Sequence, residues 1–351
     1  MLQQRLRELV NGPQAPPGAI AVLDRNGSVQ VYQAGTAQRG TKQPLRTGDY
    51  MRIAGISKAF SGAVALGLVS QGRLGLDDTL GKRVPALPKA WHQVTLRQLL
   101  SHTSGLPEYS QSPEFQRIFG ENPRHTFNSQ QLLKFAAKQP LRFPPGTKYA
   151  YSNSDNVAAA LISEAASGAR YDALLKKYVY QPLGLKNTSL PSGYRILHPY
   201  MHGYDPADSG SGAPRDVSEL FSMSGPWAAA GMVSTPRDLT AFIRAYARGS
   251  LLSPAIRSQQ LAFVPGRKAD TPGPGANAAG LGLYQYTTRC GTVYGHTGSL
   301  FGYTQLAAAT PDGKRSITFT ITARANENTR PSILKKLRQT QEEAVCALLR
   351  G

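Results

Sequence analysis

Acidic residues are scarce in this sequence: 21 Asp and Glu stand against 40 Lys and Arg in 351 residues, a net charge of +19. Such an excess attracts polyanions at long range. The basic residues are scattered, however, and the densest run, Lys335-Lys336-Leu337-Arg338, falls in a helix-like tail, so nucleic acid is not the expected partner. Long apolar runs are also missing. The longest, around Ala63–Val69 and Trp227–Val233, fall far short of the roughly 20 residues a membrane span needs. The opening segment, Met1-Leu-Gln-Gln-Arg-Leu-Arg-Glu-Leu9, has no continuous apolar stretch and no small-residue cleavage site, so it does not read as a signal peptide. The chain is expected either to be cytoplasmic or to follow a removed signal. The only two cysteines, Cys290 and Cys346, are too few and too far apart for a thiol metal or redox motif and leave two free thiols or one disulfide. Six scattered histidines make no ligand spacing. Gly-x-Ser-x-Gly, Walker, dinucleotide-binding and His-Glu-x-x-His patterns are absent, so no metal, nucleotide or flavin cofactor is expected.

What is present is a chain that is 40% apolar, enough for a substantial core, punctuated by 35 Gly and 25 Pro. Ala19-Ile-Ala-Val-Leu23, a turn at Asp24-Arg-Asn-Gly27 and Val29-Gln-Val-Tyr32 read as a β-hairpin. Residues 55–72 are apolar nearly all round a helical wheel and end on Gly72, which predicts a buried central helix. Thr235 and Pro236 announce another helix, as N-cap and first helical residue. Leu281–Thr288, Gly291–His296, Tyr303–Thr310 and Ser316–Ala323 read as an antiparallel meander, and Pro331–Leu349 as a closing helix. Strands at both ends with helices between predict an α+β fold. Its antiparallel sheet region comes from 1–75 and 226–351, with a mostly helical region, 76–225, inserted.

Three short elements stand in order. Lys58 lies three residues after Gly55 on the buried helix, Tyr151-Ser-Asn153 begins 96 residues after Gly55, and His296-Thr-Gly298 follows 145 after Tyr151 on a predicted strand. Positions i and i+3 share a helix face, so the Lys58 amine points toward whatever position 55 presents. A buried ammonium must be hydrogen-bonded or lose its charge. Ser57 lies about 200° round the helix from Gly55 and faces away. Ser332-Ile-Leu-Lys335 and Ser154-Asp-Asn156 read as ordinary helix and loop residues.

Together with Leu99-Leu-Ser-His-Thr-Ser-Gly-Leu106 and Gly231-Met-Val-Ser-Thr-Pro-Arg-Asp-Leu239, these elements resemble the penicillin-recognising serine hydrolases, over nearly the whole chain from Pro17 to Cys346. Within them, the chain looks most like class C β-lactamases, related esterases and actinomycete DD-carboxypeptidases. The resemblance implies a β-lactamase/transpeptidase-like fold and an acyl-enzyme mechanism on D-amino-acid peptides or small esters and amides, peptidase or esterase chemistry being favoured over β-lactam hydrolysis. It departs where the family carries its nucleophilic serine, because that position is Gly55 here. The implied roles are Lys58 and Tyr151 as proton-handling groups, His296 as the cationic or polar head that orients a carboxylate or the proton relay, on one strand with Thr297 and Gly298, and the N–H groups of Gly55 and Ser299 as the oxyanion hole. Asn153 and Trp227 are the implied substrate contacts; Arg289, near the strand that carries His296, is a candidate for a peptide carboxylate, the favoured alternative being a plain surface arginine. With every partner kept, the chain reads as a hydrolase inactivated at its nucleophile; the rival reading is a non-catalytic binder of peptidoglycan fragments or β-lactams. The resemblance also implies a Cys290–Cys346 disulfide, hence a secreted or wall-associated protein whose charge suits anionic cell-wall polymers. A monomer is the default expectation.

Overall fold

The computed structural model describes residues 1–12, 14–206, 213–265, 273–328 and 330–350. Its frame is an eight-stranded antiparallel sheet. The strands are β1 (Gly18–Arg25), β2 (Ser28–Gly35), β3 (Val264–Pro265), β4 (Ala276–Ala279), β5 (Tyr284–Thr288), β6 (Gly291–Leu300), β7 (Tyr303–Ala309) and β8 (Arg315–Ile321). Their spatial order is β2-β1-β8-β7-β6-β5-β4-β3, so the N-terminal hairpin docks on the last strand, with Ala19 opposite Ile321 and Arg25 opposite Arg315. The predicted meander is present. Sequence reasoning missed β3 and β4, which are short and sit at the far edge of the sheet, β4 being Ala-Asn-Ala-Ala with little β propensity.

The middle of the sheet is covered on both faces, and the period-2 alternation of strand side chains explains how. Along β1, Ile20 and Val22 join one apolar cluster while Ala19, Ala21 and Leu23 join the other. The second face is packed by α1 (Leu2–Leu9), through Leu2, Leu6 and Leu9, and by the long closing helix Pro331–Arg350. The i, i+4, i+7 spacing of those leucines is an amphipathic signal.

On the first face lies α2 (Ser57–Ser70), buried at every position from Ser57 to Leu68. It ends with Gly72 in the left-handed region at φ +70°, as predicted from the sequence. Its tight fit has a steric basis at Gly62, where an added Cβ would stand 2.6 Å from the Tyr246 hydroxyl and 3.0 Å from the Gly282 Cα. Between α2 and the sheet region the chain runs through α3 (Pro113–Glu121), α4 (Asn153–Ser167) and α5 (Pro236–Arg248), the last capped by Thr235 as read from the sequence. Phe60 of α2 stacks on Phe242 of α5 with ring centroids 3.7 Å apart. The closing helix is α6 (Pro331–Arg350). No strand of the large sheet comes from between Gly35 and Val264 among the described residues.

Cys290 and Cys346 are bridged, tying the turn between β5 and β6 to α6 across 56 residues. By chain entropy, closing a loop of that length stabilises by about 4 kcal/mol. A Cys290→Ala/Cys346→Ala double variant should therefore lose roughly 2–4 kcal/mol of unfolding free energy. Urea titration under non-reducing conditions measures this, and an unchanged midpoint would remove the bridge from the account of stability.

Candidate active site

The chain reaches position 55 through an irregular step. Ala54 has φ +46° at the start of a single 3-10 turn, Ala54–Ile56, that runs into α2. A non-glycine residue in that region is strained and needs surrounding structure to hold it. Here β6 supplies the support by close approach, since a Cβ on Gly298 would lie 2.6 Å from the Ile53 carbonyl oxygen and 2.7 Å from the Gly55 nitrogen. Only glycine at 298 lets the edge of the sheet meet the head of the helix. A Cβ built on Gly55 would stand 3.3 Å from the Tyr151 hydroxyl and 3.0 Å from the Thr297 carbonyl oxygen. The two glycines, Tyr151 and Thr297 thus converge on one point.

Lys58 lies one helical turn below, 1% exposed. Its ammonium donates to Asn153 Oδ1 at 2.8 Å and to the Ala229 carbonyl at 2.9 Å, and sits 4.7 Å from the centroid of the Tyr151 ring. Burial pulls its pKa down to about 7, against the attraction of Glu108 and Asp155. At neutral pH it can therefore give or take a proton beside Tyr151.

The acceptor from Asn153 is held by distant partners. Asn153 is the first residue of α4, and its backbone N–H donates to Glu108 Oε2 at 2.6 Å. The stretch Ser154-Asp-Asn156, read from the sequence as loop, is the buried first turn of α4. There Ser154 Oγ donates to the Pro107 carbonyl, and Asn156 donates to Ser61 Oγ on α2. Fully buried Asp155 accepts from the Ser104 hydroxyl and pairs with His102 Nδ1 at 2.8 Å. Burial pushes the Asp155 carboxyl well above the ordinary carboxylate range, with the Ser104 hydrogen bond pulling the other way. His102, at φ +55°, lies 4.8 Å from Tyr151 ring to ring. His102 and Asp155 were not among the residues expected at the site, although the segment Leu99–Leu106 was singled out.

His296 is brought close but behind the cavity wall. Its Nδ1–H donates to the Thr297 carbonyl at 2.6 Å, and its ring packs edge-on to Tyr284. Burial and the nearby Lys58 push its pKa down to about 3, so it is the neutral imidazole, not a cationic head. Ser299 lines the cavity, but its hydroxyl is engaged with the Ala325 carbonyl and Thr304. Ser57 faces away as expected, accepting from the Met232 N–H at 3.2 Å.

Two expected contacts are elsewhere. Trp227, at φ +33°, packs edge-on to Tyr171 and borders a different surface depression, so only its short helix, through the Ala229 carbonyl, serves the site. Arg289 is half exposed and pairs with Glu342 and Glu343 of α6, beside the disulfide. Tertiary partners on a remote helix decided its place. The cavity itself encloses about 230 Å³ and is floored by Gly55, Lys58, Tyr151 and Asn153, with Phe115, Phe119 and Phe301 along its wall.

A model of the β-lactamase family matches residues 2–341. The chain belongs to the β-lactamase family. Penicillin-binding protein 4* of Bacillus subtilis is 26% identical over 330 residues, 91% of this chain and 70% of that protein. A D-stereospecific amidohydrolase from Streptomyces sp. superposes with a TM-score of 0.81 at 29% identity, covering 96% of this chain and 97% of that one. D-amino acid amidase from Ochrobactrum anthropi SV3, complexed with D-phenylalanine, gives 0.83 at 25%, covering 98% and 97%. The fold is the β-lactamase/transpeptidase-like one, with its antiparallel sheet flanked by helices.

The buried lysine makes a pH-dependent contribution with a defined sign. Unfolded lysine titrates near 10.5 and folded Lys58 near 7, so the folded state binds fewer protons between those values. The stability this group contributes is complete above 10.5 and is lost as pH falls toward 7, at up to about 1.4 kcal/mol per pH unit. Unfolding free energies of the protein and of Lys58→Met, compared at pH 7, 8, 9 and 10, should diverge with that slope; a constant difference would mean the ammonium is not desolvated.

Proposed function

We propose that the chain is a serine-hydrolase scaffold for D-amino-acid peptides or small esters and amides in which Gly55 occupies the nucleophile position. The observation that carries the reading is the direction of the absent side chain: a Cβ at 55 faces the Tyr151 hydroxyl at 3.3 Å, with the Lys58 ammonium over the tyrosine ring. A serine there would hold its hydroxyl against a phenol whose neighbour titrates near neutrality, the arrangement by which a weak nucleophile is activated. In that reaction the serine oxygen bonds to the substrate carbonyl carbon and its proton passes to the Tyr151–Lys58 pair. The N–H groups of Gly55 and Ser299 receive the oxyanion, the leaving amine or alkoxide departs with a proton, and water then cleaves the ester. As it stands, the chain binds such a substrate and does not acylate. In a serine protease, losing the nucleophile costs on the order of 10⁶ in turnover.

The retained Lys58, Tyr151 and Asn153 favour a hydrolase altered at one position over a long-established binder of peptidoglycan fragments or β-lactams. The disulfide and the charge of +19 support action outside the cytoplasm, against an anionic wall.

Intact-mass spectrometry of the chain and of Gly55→Ser, each with a penicillin and with a D-Ala-D-Ala thioester, tests this directly. An adduct or turnover confined to Gly55→Ser is expected; inertness of both proteins would transfer the reading to the non-catalytic binder. In the Gly55→Ser background, Tyr151→Phe should slow acylation about 10²–10⁴-fold, the usual span for a general base. Single-turnover kinetics would show it, and a loss below threefold would remove Tyr151 from proton transfer.

A further inference from the structure

The wall opposite the reacting point is aromatic, and it is built with care. On α3, Phe115 and Phe119 share a face at i and i+4. Phe119 stacks on Phe301 at 5.6 Å and on Phe221 at 5.3 Å, while Phe221 and Phe301 stack at 4.2 Å. Gly225 lies against the rings of Phe115, Phe119 and Phe127, at 3.3–3.4 Å from a built Cβ, so the chain there already touches the aromatic layer. Phe301 is the most telling member. It occupies the two-residue turn between β6 and β7 with φ +44°, followed by Gly302 at φ +83°. A turn of that shape suits Asn-Gly, and a bulky residue in its first position is strained. The strain is tolerated with the ring 8% exposed, in the lining of the cavity.

Charge gives the second constraint. Among the described residues lining the cavity, Lys58 is the only charged side chain, and it is committed to Asn153 and Ala229 at the floor. Arg289, the candidate for a peptide carboxylate, is paired with α6. Glu108 is occupied by Ser110, Ser152 and Asn153. A ligand ammonium buried here meets only the like charge of Lys58, and a ligand carboxylate meets only a Lys58 amine that already donates to Asn153 and Ala229, so the lining favours an uncharged group. Size gives the third: 230 Å³ is below the roughly 300–1,000 Å³ of pockets that enclose drug-sized ligands, so one ring and the scissile group fill it.

We infer that the cavity selects a neutral amide or ester carrying one aromatic group near its reacting carbonyl, and discriminates against peptides that end there in a free carboxylate. The inference rests on the acyl-transfer reading of the same cavity and specifies its substrate class. Because the chain lacks the hydroxyl, intact ligands can be measured on the protein as it is.

Calorimetry at 0.15 M salt, where the field of the basic surface decays within about 8 Å, compares N-acetyl-D-phenylalanine amide with N-acetyl-D-alanine amide, and N-acetyl-D-Phe-D-Ala amide with its free acid. At least tenfold tighter binding of the phenylalanine ligand is expected, with the dipeptide amide bound at least threefold more tightly than the acid. Phe119→Ser, on the partly exposed helix, should cut the ring preference below threefold. So should Phe301→Asn, which suits the turn and preserves the fold. Equal affinities for the ring and methyl ligands, equal or tighter binding of the acid, or a ring preference untouched in both variants would overturn the inference. These outcomes are separable from the fate of the underlying reading: a penicillin adduct on Gly55→Ser without ring selectivity retains acyl transfer and rejects the aromatic subsite, and ring-selective binding without an adduct does the reverse.

Discussion

The burial of one ammonium group organises the centre of this protein. Lys58 is taken out of water by a helix apolar on nearly every face, and its charge is met by a side-chain amide and a main-chain carbonyl instead of a carboxylate. Both acceptors must be fixed in space, because an ammonium that loses either is left with an unsatisfied donor in a dry interior. Asn153 is fixed by Glu108 at the head of α4, and Ala229 by the short helix that begins at the strained Trp227. Helix α2, the head of α4 and the short helix Trp227–Ala230 are thereby referenced to the same nitrogen atom.

Around that nitrogen the site is assembled by close approach more than by side-chain contact. Gly298 against the Gly55 nitrogen brings the sheet edge to the helix head, and the left-handed Ala54 aims that head outward. The His102–Asp155 pair packs beside Tyr151 through the His102 ring. Polar groups placed at this depth are permissible only when paired, and the chain of Ser104, Asp155 and His102 meets that condition.

The large elements were legible because their signals are local. A helix apolar all round has to be buried, and strands that alternate in a meander pair with their neighbours. The convergence of Gly55, Lys58, Tyr151 and Asn153 was legible through the ordered motifs. What stayed hidden depends on residues far apart in the chain. Ser154-Asp-Asn156 reads as loop because it overlaps the Tyr151-Ser-Asn153 element; the acceptor that holds the head of α4 there is Glu108, 45 residues upstream of Asn153. Arg289 and Trp227 carried no local hint that α6 and Tyr171 would claim them. The aromatic wall draws on α3, the Phe221 segment and the β6–β7 turn, which no periodicity links.

The pairing of β1 with β8 has a consequence for how the molecule comes into being. Ala19 meets Ile321 across about 300 residues of chain, and such non-local pairing is slow because its closure entropy precedes any gain. Gly55 and Gly298 lie inside that span, near its two ends. During synthesis the first strand pair waits for the last strand, and the cleft lacks the strand that carries Gly298 until the final quarter of the polypeptide has left the ribosome. A truncated product would hold Lys58 and Tyr151 without the strand that closes over them, leaving an exposed apolar helix for chaperones or proteases to find.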